Sequence, residues 1–316
     1  MIDYIYIAAC ARDARLTRIC VSSIRYFYPE VPIRLLAGEV LQRGLAEELR
    51  RYWNVESVGL PRGDYGWGFV KLEPLFGPAG QRFLVTDVDT VFTGRVLDMH
   101  CESDAPFLVD NEQLSDADFK RLYYDWDKLR EIDPSTQSAR TAFNGGQWFG
   151  TAGLVKREEF DPWVEWTLPR RLRYPEYFMG GEQGVLNYVV LRKEAFEGLR
   201  IARRTIMHWP GNSMVGLDVE SVSKGTAPPL VIHWAGMKKW LLRNMVGADL
   251  LLFFEKYYYQ RLPLGSLRRV LANGYHLWLQ CLHPFRWRIR LQYHKRIGKW
   301  FSRNSRPKVI KRSIAA

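Results

Sequence analysis

The stretch FLVTDVDTVF, residues 83–92, sets two aspartates, Asp87 and Asp89, one residue apart inside a β-prone apolar run. Side chains alternate across a strand, so carboxylates at i and i+2 leave the backbone on the same side and can converge on one hard cation. Two unpaired carboxylates among Phe83, Leu84, Val85, Val88, Val91 and Phe92 are expensive to bury without a compensating charge. The stretch therefore predicts a divalent-metal site at a strand end. Short Asp-x-Asp triplets also occur in solvated turns and helix caps, so other parts of the chain must share the case.

Upstream, the spacing of apolar residues predicts a strand over 4–9, a small-residue loop and a helix over 16–27. After Pro29 and Pro32 it predicts a strand over 33–37, a helix over 41–52 and a short strand over 55–58. Strand and helix in alternation imply an α/β protein with an open, largely parallel sheet. Ligands of such sheets bind beyond the C-terminal strand ends. The loop Ala8–Arg12 and the Asp87/Asp89 pair are both placed to sit there.

Downstream, residues 112–141 are charged and aromatic, with Tyr123, Tyr124 and Trp126, and read as a surface helix or as a loop that covers an acceptor. Three polar clusters follow. In AFNGGQWFG, residues 142–150, Gly145 and Gly146 behind Asn144 permit either a tight turn or close approach of backbone to a ligand. In MGGEQGVLNYVV, residues 179–190, Gly180 and Gly181 precede Glu182 and Gln183 at the start of an apolar helix, where an acid also suits the helix dipole. In VIHWAGMKKW, residues 231–240, a β-branched run ends in His233, with Gly236 and Lys239 beyond it. Imidazole at a strand end suits a metal, and an ammonium after a glycine turn suits a phosphate.

Taken in order, TDVD, FNGG, GGEQGVLN and HWAGMKKW resemble the motifs of nucleotide-sugar glycosyltransferases with a GT-A fold, and most of all those of glycosyltransferase family 8. The match spans about residues 4 to 240. It implies a Rossmann-like, mixed but mostly parallel sheet flanked by helices. It also implies that Asp87, Asp89 and His233 hold a divalent ion, Mn2+ or Mg2+. Gly236 and Lys239 would meet the diphosphate of a UDP-sugar, Ala8, Ala9 and Cys10 would line base and ribose, and Lys71 in WGFVKLEPLF would touch the donor. Asn144 and Gly145 would lie near the transferred hexose, beside Gln183. Two departures stand out. The family's Asp-Gln-Asp is Glu182-Gln183-Gly184 here, and no proline separates Lys239 from Trp240.

The chemistry fits the residues. Negative charge develops on a departing diphosphate, which a metal site and Lys239 would stabilise, and oxocarbenium character on the sugar favours a nearby carboxylate or amide oxygen. Glu182 and Gln183 are available for that. Retention, which the resemblance implies, puts Gln183 at the anomeric face; inversion would make Glu182 the base on the acceptor hydroxyl.

Charge divides the chain. From Lys256 to Ala316 there are fifteen Lys/Arg and no Asp or Glu, while the preceding 255 residues hold 31 basic against 34 acidic, so the net +12 belongs to this C-terminal extension. Its aromatic residues, Tyr257 to Tyr259, Tyr275, Trp278, Phe285, Trp287, Tyr293, Trp300 and Phe301, together with that charge suit the headgroup zone of an anionic membrane. The expected division is a transferase domain over 1–240 and a membrane-association region over 241–316. Nucleic acid also fits the charge, but no RNA or DNA module accompanies it. Four cysteines without pairing or zinc spacing, an N-terminus MIDYIYIAAC without a basic leader, and no apolar run of transmembrane length give the expectation of a cytoplasmic enzyme, peripheral on the inner face of the plasma membrane. Its acceptor would be a glycan or lipid-linked glycan, as in lipopolysaccharide or other surface polysaccharide synthesis. Two alternatives differ in class. A sugar nucleotidyltransferase would carry a Gly-rich basic signature after its first strand, which Ala8–Arg12 lacks, and a non-catalytic membrane or nucleic-acid adaptor would not need an intact Asp pair with His233 and Lys239.

Overall fold

In a computed structural model of the protein, residues 1–282 are described, apart from Glu39, Val40, Gln42, Arg43, Trp67, Arg140, Gly180, Lys238 and Trp240. The expectations for Gly180, for Trp240 and for the aromatic residues from Phe285 onward lie outside the described residues. The first half of the chain runs β1 (Tyr4–Ala8), α1 (Ala14–Phe27), β2 (Ile33–Leu36), α2 (Leu45–Trp53), β3 (Val55–Ser57), a 3₁₀ segment (Phe69–Phe76), β4 (Arg82–Asp87), β5 (Thr90–Phe92), α3 (Asp98–Cys101), β6 (Phe107–Val109) and β7 (Glu112–Gln113). Then come α4 (Asp116–Leu122), α5 (Trp126–Leu129), β8 (Thr141–Ala142), β9 (Gln147–Thr151), β10 (Val164–Glu165), β11 (Arg171–Leu172), α6 (Glu182–Glu197), β12 (Ile201–Arg203), β13 (Met207–His208), α7 (Val219–Lys224), β14 (Val231–His233) and α8 (Ala248–Gln260). A further helix covers 265–282.

Seven strands form the main sheet in the order β12-β6-β9-β4-β1-β2-β3. The strands β3, β2, β1 and β4 are parallel, whereas β9 runs antiparallel to both β4 and β6. The sheet is thus mixed and mostly parallel, with helices on both faces. Alternation in β4 shows how it is covered: Leu84 joins the apolar cluster beneath α1 and α8, while Phe83 and Val85 join the one beneath α6 and the 3₁₀ segment. Full burial of each such side chain is worth about 1.5–3 kcal/mol, and burial on both faces explains why β1 and β4 read as unbroken apolar runs.

The strands β13, β14 and β5 form a small second sheet. Its register sets His233 opposite Thr90 in antiparallel pairing. A residue more than 140 positions downstream is thereby carried to the turn that follows β4.

Helix α8 lies on the C-terminal side of the division expected at 240, yet it packs into the body. Leu250, Leu251, Phe254 and Tyr258 are buried against α1 and the sheet, and the Tyr258 ring stacks on Trp53 at 4.9 Å. Tyr258 and Tyr259 are core residues, whereas Lys256 and Gln260 of the same helix are exposed.

Candidate active site

Strand β4 ends at Asp87, whose partner in the β1 register is Ala8, and its amide donates to the Gly146 carbonyl at 2.7 Å. The turn is braced from within, because the Thr90 hydroxyl donates to the Asp87 carbonyl at 2.7 Å. From the other sheet, the Trp234 amide donates to the Asp89 carbonyl at 2.9 Å, which delivers the preceding imidazole. One ligand atom each from Asp87, Asp89 and His233 then lies within 4.8 Å of the others. The His233 Nε2 is 3.4 Å from an Asp89 oxygen and 3.8 Å from an Asp87 oxygen.

Whether these residues suit a cation is answered by the imidazole. His233 is 2% exposed, and neither ring nitrogen has a hydrogen-bond partner, while Trp209 stacks on the ring at 5.4 Å. A buried polar group left unsatisfied costs about 1–3 kcal/mol. Coordination to a cation beside the two carboxylates relieves that cost, and one nitrogen with carboxylate oxygens is a donor set for Mn2+ or Mg2+. The residues fit a divalent ion.

Lys71, on the 3₁₀ segment, joins this cluster to α6. Its ammonium is 3.3 Å from Asp87 and is ion-paired with Glu182, the first residue of α6. Lys71 and Glu182 are both buried. Burial works against the Lys71 charge, but Asp87 and Glu182 outweigh it and hold the ammonium above its ordinary value. Burial pushes the Glu182 carboxyl up, against the pull of Lys71.

The segment Phe143–Gly146 is pinned to the same helix end. The Gly145 amide donates to Gln183 Oε1 at 2.9 Å, and Gln183 Nε2 donates to the Leu122 carbonyl at 3.4 Å. One turn further along α6, Asn187 accepts from the Phe143 amide and donates to its carbonyl, both at 2.9 Å. Asn144 Oδ1 accepts from the Gly146 amide at 2.7 Å. Gly146 has no room for a side chain: a Cβ there would stand 2.2 Å from His233 Cε1 and 2.9 Å from an Asp87 oxygen. The departure at Gly184 has a similar cause, because a Cβ at that position would fall 2.2 Å from the Tyr123 carbonyl oxygen. The 123–124 segment comes so close to α6 that an acidic side chain there is sterically excluded.

The structure thus gathers Asp87, Asp89, His233, Lys71, Asn144, Gly145, Glu182 and Gln183 at the C-terminal ends of β1 and β4. Ala8 borders them, and Ala9, buried, donates to the Leu36 carbonyl at 2.9 Å. Cys10 is half-buried and donates to Asp13 at 3.2 Å. Gly236, with φ 71°, and the exposed Lys239 lie on the loop that leaves His233. Sequence reasoning gave no role to Asn187 or Trp209, and read Gly146 only as a turn or close-approach glycine. For Asn187 a signal existed, since it follows Gln183 by one helical turn and shares its face; Trp209 had none. Two surface cavities beside Tyr188 and Arg192 of α6 include no residue of the metal cluster, so converging ligands locate the site rather than concavity.

Solved structures share this architecture. The bifunctional glycosyltransferase WbbM, in its apo form, aligns over 82% of this chain and 51% of its own, at 14% identity and a TM-score of 0.53. The fold is that of the GT-A glycosyltransferases. This chain spans about half of WbbM. The galactosyltransferase LgtC, crystallised with donor and acceptor sugar analogues, aligns over 81% of this chain and 95% of its own at 13% identity and a TM-score of 0.48. GlyE, a glycosyltransferase of Streptococcus pneumoniae TIGR4, aligns over 87% and 63% at 14% identity and 0.48. No protein-family model matches the sequence, and comparison with curated proteins gives no match. At such identities the likeness is one of the GT-A fold.

Proposed function

We propose that the protein is a metal-dependent glycosyltransferase that moves a hexose from a UDP-sugar to a hydroxyl of a glycan or glycolipid acceptor. The observation that carries this reading is the convergence of Asp87, Asp89 and the unpartnered His233 at the ligand-binding edge of a GT-A sheet. A divalent ion held there supplies Lewis-acid stabilisation to a departing diphosphate. Lys239, exposed on the adjoining loop, is the side chain we assign to the same diphosphate, with Gly236 giving its backbone room to turn; Ala8, Ala9 and Cys10 line the nucleoside. Lys71 reaches the donor through Asp87, whose carboxylate it holds in place. Asn144, Gly145 and Gln183 form the wall we assign to the hexose.

Glu182 is buried and paired with Lys71, which ill suits it to take a proton from an acceptor. We therefore favour retention, with Gln183 at the anomeric face and the leaving phosphate accepting the acceptor's proton. An NMR assignment of the product linkage tests this: a β-product from an α-donor overturns it.

The transferase in this reading occupies residues 1–240 with α8 packed against it, and the rest of 241–316 attaches it to an anionic membrane surface on the cytoplasmic side. The charge of the extension supports that attachment. Among the described residues no helix is long and apolar enough to cross a membrane. Donor hydrolysis across UDP-, GDP-, CMP- and dTDP-sugars with Mn2+ tests the whole reading. We expect turnover of a UDP-hexose that is lost in Asp89→Asn; equal turnover by the variant removes the metal mechanism.

A further inference from the structure

The 265–282 helix packs the wrong way round for a helix on a water-facing surface. Such helices turn an apolar stripe inward and polar residues outward. Here the inward side carries Arg269, which donates to Glu255 at 3.1 Å, and Asn273, which accepts from Arg15 at 2.5 Å. Glu255 is itself 1% exposed and paired with Arg15, so the helix is held to α1 and α8 by a charged and polar seam. Its outward side presents Leu267, Val270, Leu271, Tyr275, Leu277 and Trp278, each about half exposed or more.

We infer that this helix lies in the plane of an anionic bilayer, with Leu267, Val270, Leu271 and Trp278 sunk into the boundary between headgroups and acyl chains. The inference rests on the membrane reading above and deepens it from attraction at a distance to insertion. Two observations select the occupant. From Lys256 to Ala316 the chain has fifteen Lys/Arg and no acid, eleven of them beyond residue 282, so an anionic surface is complementary to the region. A second copy would set two such cationic regions against each other, and a nucleic acid would answer the charge while leaving the apolar stripe in water. A bilayer interface meets both, because aromatic rings and Lys/Arg settle at headgroup level while aliphatic side chains sink below it.

The test is flotation of the full chain with vesicles of phosphatidylcholine alone or with roughly one-third phosphatidylglycerol, at low salt and at about 0.5 M salt, where surface charge attraction is largely screened. The comparison protein is Leu267→Ser/Leu271→Ser/Trp278→Ser, with thermal midpoint and donor hydrolysis as controls that should not change. We expect the natural sequence to float with anionic vesicles and to stay bound in part at high salt, and the variant to bind at least about tenfold more weakly. If both proteins bind alike and both are released by salt, charge alone holds the chain, and insertion is wrong while the membrane reading stands. If neither floats, both fall. If the natural sequence sediments as a dimer that the variant makes monomeric, the stripe belongs to a second copy and the inference is overturned.

Discussion

Removing Lys71 should destabilise the protein more than removal of a surface lysine would. Its ammonium lies between Asp87 and Glu182, and Lys71→Met leaves those two carboxylates facing each other with Glu182 only 2% exposed. Breaking a buried pair by deleting one partner costs about 3–5 kcal/mol. Asp87 keeps a side chain that is 25% exposed, so water can reach one of the two orphaned charges and the lower end, about 3 kcal/mol, applies. For a domain of this size that lowers the thermal midpoint by about 6–12 °C. Lys71→Met/Glu182→Leu removes both buried charges together and should recover most of the loss, since apolar replacement of a whole buried pair is often near neutral. The assay is urea unfolding at pH 7 in the presence of a chelator, so that no metal contributes. Costs for Lys71→Met and Glu182→Leu that add within about 0.5 kcal/mol would refute the ion pair as an energetic unit.

Gly146→Ala should displace the His233 ring, which a Cβ would meet at 2.2 Å. We expect the rise in thermal midpoint with Mn2+ to demand about 10–100-fold more metal, and an unchanged Mn2+ titration counts against the cluster. Gly184→Asp, which restores the acid of the family pattern, should destabilise the protein by about 2 kcal/mol or more through collision with the Tyr123 carbonyl; a neutral effect in the same urea assay contradicts the steric account. His100 is buried beside Phe149, and burial, helped by Arg82, pushes its imidazole down to about 4. Its folded value lies below the ordinary one of about 6.5, so the unfolded chain takes the proton first as pH falls. Stability from this group is complete above about pH 6.5 and declines toward pH 4, by at most about 1.4 kcal/mol per unit. His100→Phe should flatten that limb, and parallel profiles for the two proteins would dismiss it.

Much of the donor half was legible because its signals are local. β1 and β4 are continuous apolar runs, α1 carries a clear helical period, and the Asp pair interrupts a strand at the edge where sheets of this class bind ligands. His233 was readable as the end of a β-branched run. Its arrival beside Asp89 followed only from the family resemblance, since β5 and β14 are three-residue strands whose pairing no local sequence pattern specifies. The reversal of β9 between β4 and β6 was not legible from local pattern either, because side-chain alternation carries no strand direction. Composition misled at α8, where Tyr257 to Tyr259 beside basic residues suit a headgroup zone as well as a packed aromatic core. The Trp53–Tyr258 stack and the pairing of Glu255 with Arg15 and Arg269 decided for the core. Glu182 reads as a first-turn acid and a candidate base until its counter-charge on a distant 3₁₀ segment is seen.

The pairing of β5 with β14 also sets an order of events. Asp87 and Asp89 enter the growing chain about 140 residues before His233, and contacts across such a separation form slowly because a long loop must close first. The large sheet can hold both carboxylates in position while their third ligand is still being made or is still searching for its register. Completion of the small sheet is therefore what brings the third candidate ligand to the acidic turn. In refolding, tight uptake of Mn2+ should lag behind the return of helix and sheet signals, which makes the metal a reporter on the last seam of the molecule to close.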